Sequence, residues 1–124
     1  MLKIQCITID CHNPAALAQF WAEALGWKMD ENPTEIEAYI EKNLGPSNTD
    51  GYPDLLFIKT PDQKSVKNRM HLDLRPENQM EEVERLEKLG AKRIEIGQSS
   101  YSETTWIVMA DPEGNEFCVL KALG

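Results

Sequence analysis

Basic residues are scarce in this chain. Thirteen Lys and Arg face 21 Asp and Glu across 124 residues, for a net charge of -8. So acidic a protein lacks the positive footprint that phosphates attract, which sets aside nucleic acid and anionic membrane surfaces. Long apolar runs are missing as well, and nothing approaches the roughly 20 apolar residues of a membrane-spanning helix. Met1 to Asp10 has neither the basic region nor the long apolar core of a secretory signal, so a cytoplasmic location is expected. There are only three cysteines, Cys6, Cys11 and Cys118. An odd count argues against a disulfide scaffold, and in the cytoplasm the thiols are expected to be reduced. No nucleophile elbow, dinucleotide fingerprint or phosphate loop occurs. What is present is 41% hydrophobic and 27% charged residues, the balance of a soluble globular domain with one ordinary core's worth of chain.

The pattern begins with a strand. From Leu2 to Cys11, Ile7, Ile9 and Cys11 alternate with Cys6, Thr8 and Asp10. Asn13 and Pro14 follow, a strong N-cap and a residue suited to the first helical position. Leu17, Phe20, Trp21, Ala24 and Leu25 then form one apolar stripe at helical spacing, and Gly26 stops it. Short strands are expected at Trp27 to Asp30, Glu35 to Lys42 (with Ile36, Ala38 and Ile40 on one face) and Asp54 to Lys59. Residues 43–53, rich in Gly, Pro, Asn and Asp, read as a loop.

The same order then restarts. Met70 to Leu74 reads as a strand, and Asn78 with Glu81 resembles a capping box. Met80, Val83, Leu86 and Leu89 form an apolar stripe ended by Gly90. Glu81 with Arg85 and Glu84 with Lys88 stand at i,i+4 on the wet side. Strands are expected at Lys92 to Ile96, Thr104 to Ala110 and Glu116 to Leu120. Asp111-Pro112-Glu113-Gly114 joins the last two as a type I turn. Each half therefore reads strand, helix, strand, strand, strand. Aligned at their first strands, Cys6 matches His71, Thr8 matches Asp73 and Asp10 matches Arg75. The apolar face of each first strand must meet its own helix. That leaves a polar set, Cys6, Thr8, Asp10, His71, Asp73 and Arg75, for a shared surface.

Three segments carry a family resemblance: Asn13 to Trp27 (NPAALAQFWAEALGW), Asn68 to Leu74 (NRMHLDL) and Asp111 to Phe117 (DPEGNEF). They resemble the vicinal oxygen chelate superfamily, the glyoxalase and bleomycin-resistance fold, and are most similar to its small glyoxalase-like subgroup. The resemblance implies an α+β protein of two tandem βαβββ modules forming a curved mixed sheet around a cup. Module one would span about residues 1–60, a linker about 61–68 and module two about 69–124. It also implies a homodimer and a small-molecule ligand or substrate.

In metal-dependent members of that superfamily, His, Gln or Glu from the first and last strands of each module hold one divalent ion. Carried over by position, the first-strand places fall on Cys6 and His71 and one last-strand place on Cys118. The fourth place lies within Leu55 to Ile58, which offers no ligand. Only His71 keeps a usual ligand type, so the family set is incomplete. Glu116 lies two residues before Cys118 on the same strand face. Cys6, His71 and Cys118 converging would suit zinc, with nickel, iron and manganese as other divalent candidates; the competing reading makes both cysteines small apolar fillers.

The candidate ligand-binding cup comprises Cys6, Thr8, Asp10, His71, Asp73, Arg75, Trp106 and Cys118. His71 is read as a metal ligand, a neutral general base or ligand contact, or a structural histidine. Asp73 either orients that imidazole or pairs with Arg75. Asp10 either enters the cup or, the favoured reading, accepts backbone N–H bonds near the helix start. Trp106 faces either the cup, as an aromatic wall, or the helices. Tyr39, Tyr52 and Tyr101 lie in or beside rim loops, and His12 is given no role. The leading expectation is a metal-free small-molecule binder. The alternatives are a metal-dependent lyase or isomerase of glyoxalase type, and a metal-free acid–base enzyme using His71 with Asp73 or Glu116.

Overall fold

The computed structural model describes residues 1–42, 52–94 and 105–123. Tyr101 and the polar segment 97–103 lie outside the described residues. The chain divides into two compact units, Met1–Gln63 and Lys64–Gly124, and each has the expected element order.

In the first unit, β1 (Cys6–Cys11) leads into α1 (Pro14–Leu25). The Asn13 side chain accepts from the Ala16 N–H at 3.2 Å, and Pro14 sits where a missing N–H costs nothing. Gly26 ends the helix at φ +70°, a left-handed conformation that glycine adopts without strain. Strands β2 (Lys28–Met29), β3 (Glu37–Glu41) and β4 (Asp54–Lys59) complete a sheet of order β1-β4-β3-β2. The β1–β4 pair is parallel and the others antiparallel. Its register aligns Ile9, Phe57 and Ala38 in one row and Ile7, Leu55 and Ile40 in the next. Phe57, Ala38, Leu55 and Ile40 are buried with Leu17, Phe20 and Trp21 of α1. This is the core of unit one, and Phe20 meets Trp21 edge-on at 5.2 Å.

Two expectations are corrected here. The first strand begins at Cys6, not Leu2, and Leu2 and Ile4 are exposed. Its partner starts at Asp54, whose N–H reaches back only to the Gln5 carbonyl. Ile36 does not continue the inward face of β3; it is exposed. The Thr34 hydroxyl accepts from the N–H groups of Ile36 and Glu37, so a local turn delays the strand to Glu37.

The second unit repeats the plan. β5 (Asp73–Leu74), α2 (Gln79–Leu89), β6 (Lys92–Arg93), β7 (Ile107–Ala110) and β8 (Glu116–Val119) form a sheet of order β5-β8-β7-β6. Asn78 caps α2 by accepting from Glu81 N–H at 3.1 Å. Val83, Leu86, Met109, Phe117 and Val119 are its buried core. Arg85 does not bond Glu81 as the spacing suggested. It forks onto Glu82 at 2.8 and 3.0 Å, one helical turn in the i,i+3 sense. At the β7–β8 connection the Gly114 N–H closes the turn on the Asp111 carbonyl at 2.8 Å. The buried Asp111 carboxylate accepts from the N–H groups of Glu113 and Asn115, which fixes the hairpin. Among the described residues, no helix is long and apolar enough to cross a membrane.

Candidate functional site

A cavity of about 280 Å³ opens in the second unit. Its wall follows from sheet register. Asp73 of β5 pairs with Cys118 of β8, and Cys118 pairs with Val108 of β7. These three residues thus form one row across one sheet face, and all line the cavity. Glu116 and Leu120, two residues either side of Cys118, share that face, as period-2 geometry requires. Trp106, two residues before Val108, also lines it, so the cavity-facing alternative holds for this residue. Met109 and Val119, of opposite parity, go to the core.

His71 precedes β5, which is shorter than the expected Met70–Leu74 strand. The parallel ladder to β8 starts only where Cys118 N–H reaches the Leu72 carbonyl at 2.9 Å. Upstream, the chain is held differently. The Lys64 ammonium lies 2.8 Å from Glu116 Oε2 and donates to Oε1 at 3.0 Å, and Asn68 N–H donates to the same Oε1 at 3.0 Å. This clasp draws residues 64–68 across the start of β8 and releases Met70 and His71 from the sheet.

The freed imidazole meets Asp73: His71 Nε2 is 3.1 Å from Asp73 Oδ1. Asp73 is thus in contact with His71. Arg75 instead donates to the Lys121 carbonyl. With Nε2 donating to the carboxylate, Nδ1 is the nitrogen left to accept a proton or hydrogen bond. The Cys118 thiol completes the group, since one donor atom from each of His71, Asp73 and Cys118 lies within 4.8 Å of the others. Cys118 is buried. That burial, followed by the negative charge and hydrogen bond of Asp73, pushes its thiol up from the ordinary cysteine value. It is a protonated thiol at neutral pH. Burial also raises Glu116, but the hydrogen bonds from Lys64 and Asn68 outweigh it and hold this carboxyl below the usual range.

Imidazole nitrogen, carboxylate oxygen and thiolate sulfur are all zinc ligands. Binding there would release the Cys118 proton. Glu116, already clasped by Lys64, is not one of this group of three.

Cys6, Thr8 and Asp10 share the exposed face of β1 in the first unit. Cys6 Sγ lies 3.9 Å from the Thr8 hydroxyl, and its exposure removes the filler reading for this cysteine. Cys11 is the buried one in that unit, its thiol 3.7 Å from the Ile58 carbonyl. The register shows what module one lacks: Thr8 pairs with Leu56, as Asp73 pairs with Cys118. Leu56 therefore holds the place of the thiol. Tyr52 serves local packing, edge-on to Trp27 at 6.1 Å and beneath the Lys42 ammonium. His12 Nε2 lies 3.0 Å from the Asp62 carbonyl.

Sequence reasoning missed Lys67, which lines the cavity, and the clasp residues Lys64 and Asn68. All three fall in the stretch read as linker and its edge, where no periodicity marks a contact.

Residues 6–120 match the glyoxalase-like domain family, and the chain belongs to that family. No curated protein matches it. Many solved structures of the glyoxalase, bleomycin-resistance and dioxygenase superfamily share its fold. A glyoxalase/bleomycin resistance protein/dioxygenase family enzyme from Burkholderia phytofirmans is 17% identical, covering 98% of this chain and 100% of that one, with a TM-score of 0.64. The fosfomycin resistance protein of Listeria monocytogenes, solved with Mn(II) and a dihydroxypropylphosphonic acid, is 13% identical, covering 99% and 92%, with a TM-score of 0.68. The trypanothione-dependent glyoxalase I of Leishmania major is 15% identical, covering 98% and 87%, at 0.62.

Proposed function

We propose that this protein binds a small organic molecule in the cavity of its second module. In this reading the His71–Asp73 pair is the polar anchor, with His71 Nδ1 available as a hydrogen-bond acceptor or general base. The observation that carries it is the cavity itself, walled by Trp106, Val108 and Leu120 beside that pair. Apolar walls with a few convergent polar groups are what small-molecule sites consist of. The fold alone does not choose a reaction. Binding without the complete family ligand set remains the leading reading, because one donor place in module one is taken by Leu56. The family resemblance adds an expected homodimer in the cytoplasm.

A second reading is favoured by the close approach of His71, Asp73 and Cys118. These three would hold a divalent ion, zinc by donor type, and a bound ion would supply Lewis-acid chemistry at its open position. One experiment addresses both. The untagged protein is analysed for metal, then screened against small organic molecules by thermal shift, with and without chelator. Binding that survives chelation and is lost in folded His71→Ala supports the first reading. Stoichiometric zinc that is lost in both His71→Ala and Cys118→Ser supports the second. Ligand binding untouched by His71→Ala overturns the anchor role.

A further inference from the structure

The two lysines near the cavity wall are held differently. Glu116 is neutralised by Lys64 at 2.8 Å. Asp73 is engaged by His71 at 3.1 Å. Lys67 is different: it lines the cavity, is exposed, and among the described residues makes no hydrogen bond or ion pair. It is near enough for its charge to act on Cys118.

We infer that the cavity selects a small organic monocarboxylate, with its carboxylate on the Lys67 ammonium and its flat apolar body against Trp106, Val108 and Leu120. This rests on the reading of the cavity as a small-molecule site. One lysine is a single point charge with three donors, which matches a monoanion. A phosphate or phosphonate dianion calls for several cations or a bidentate arginine, and among the described residues no arginine lines the cavity: Arg69 is exposed outside its wall and Arg75 donates to the Lys121 carbonyl. The volume of about 280 Å³ lies at the small end for ligand sites, the size of a metabolite and not of a peptide. His71 Nδ1 would then accept a hydrogen bond from a hydroxyl substituent near the carboxylate.

The test is a titration of the full ¹⁵N-labelled chain with phenylacetate, phenylacetamide, phenethylamine and benzylphosphonate. Phenylacetate is expected to bind about tenfold more tightly than its neutral amide, the worth of one charge-assisted contact. Phenethylamine should bind weakest. Lys67→Gln should equalise acid and amide, and Lys67→Arg should preserve the preference. Equal affinities in the unaltered protein, an unchanged preference in Lys67→Gln, tighter binding of benzylphosphonate, or no binding by any of the four would each overturn the inference. The two readings fail separately. If acid and amide bind alike but shift residues 71–73 and 106–120, the cavity still binds small molecules and only the carboxylate preference falls. If the shifts lie elsewhere, the cavity reading falls as well.

Discussion

Lys64→Met removes one half of the clasp that sets the cavity's outer edge. The Glu116 side chain is 9% exposed and that of Lys64 22%. Without the ammonium, Glu116 keeps the backbone N–H groups of Asn68 and of its own residue. Leaving one charge of a fully buried pair without its partner costs about 3–5 kcal/mol. The partial exposure of Lys64 and the surviving N–H bonds reduce this, so a loss of about 2 kcal/mol is expected at pH 7. With a urea dependence of about 1–2 kcal/mol per molar for a chain this small, the unfolding midpoint should fall by about 1–2 M. The pH dependence is more diagnostic. In the unaltered protein Glu116 titrates below its ordinary value of 4.5, so its stabilisation is complete above that value and is lost as pH falls through the lower, folded-state value. In Lys64→Met burial acts with less opposition and the carboxyl titrates higher than in the unaltered protein. Acidification from neutrality then protonates it and relieves the variant. The stability gap should narrow as pH drops from 7 towards 4, and Lys64→Met/Glu116→Gln should recover much of the loss at pH 7. Urea melts at several pH values measure this. A gap that is absent at pH 7, or that holds constant down to pH 4, would refute the reasoning.

Two further outcomes follow from backbone and burial. Gly26→Ala should cost about 1 kcal/mol in thermal melts, all of it from φ +70°, because a Cβ there meets nothing within 4 Å; a neutral result would contradict the left-handed cap. Under iodoacetamide at neutral pH, peptide mass spectrometry should find Cys6 alkylated well before Cys118. The first is exposed, and the second is buried with its thiol pushed up by burial and by Asp73. Equal rates would contradict the enclosed thiol.

The fold was readable because its signals are local. Asn13 and Pro14 open α1, and Gly26 and Gly90 close the two helices, each by chemistry that acts over one turn. The strands were read too long wherever a neighbour was needed to end them. Leu2 to Ile4 alternates well enough, but β4 begins at Asp54 and gives it no partner. Met70 and His71 look like strand, yet the Lys64–Glu116 clasp turns the chain away from β8 before Leu72. That contact joins residues 52 positions apart in sequence. No propensity or period reports such a pairing.

The candidate site divides along the same line. The common face of Glu116 and Cys118 follows from strand parity and was visible in the sequence, as was the shared face of His71 and Asp73. Parity places residues on a face but does not choose their partners. Asp73 had two candidates at equal spacing, His71 and Arg75. The choice was made by the C-terminal segment, where the Lys121 carbonyl takes the Arg75 guanidinium and leaves the carboxylate to the imidazole. The same register explains why the two modules differ chemically although they fold alike. Thr8 pairs with Leu56 where Asp73 pairs with Cys118, so the repeat that builds both sheets gives a donor row to only one. The duplicated pattern thus accounts for the scaffold, and the departures from it, at Cys118, Leu56 and the cavity-lining Lys67, are where function must be sought.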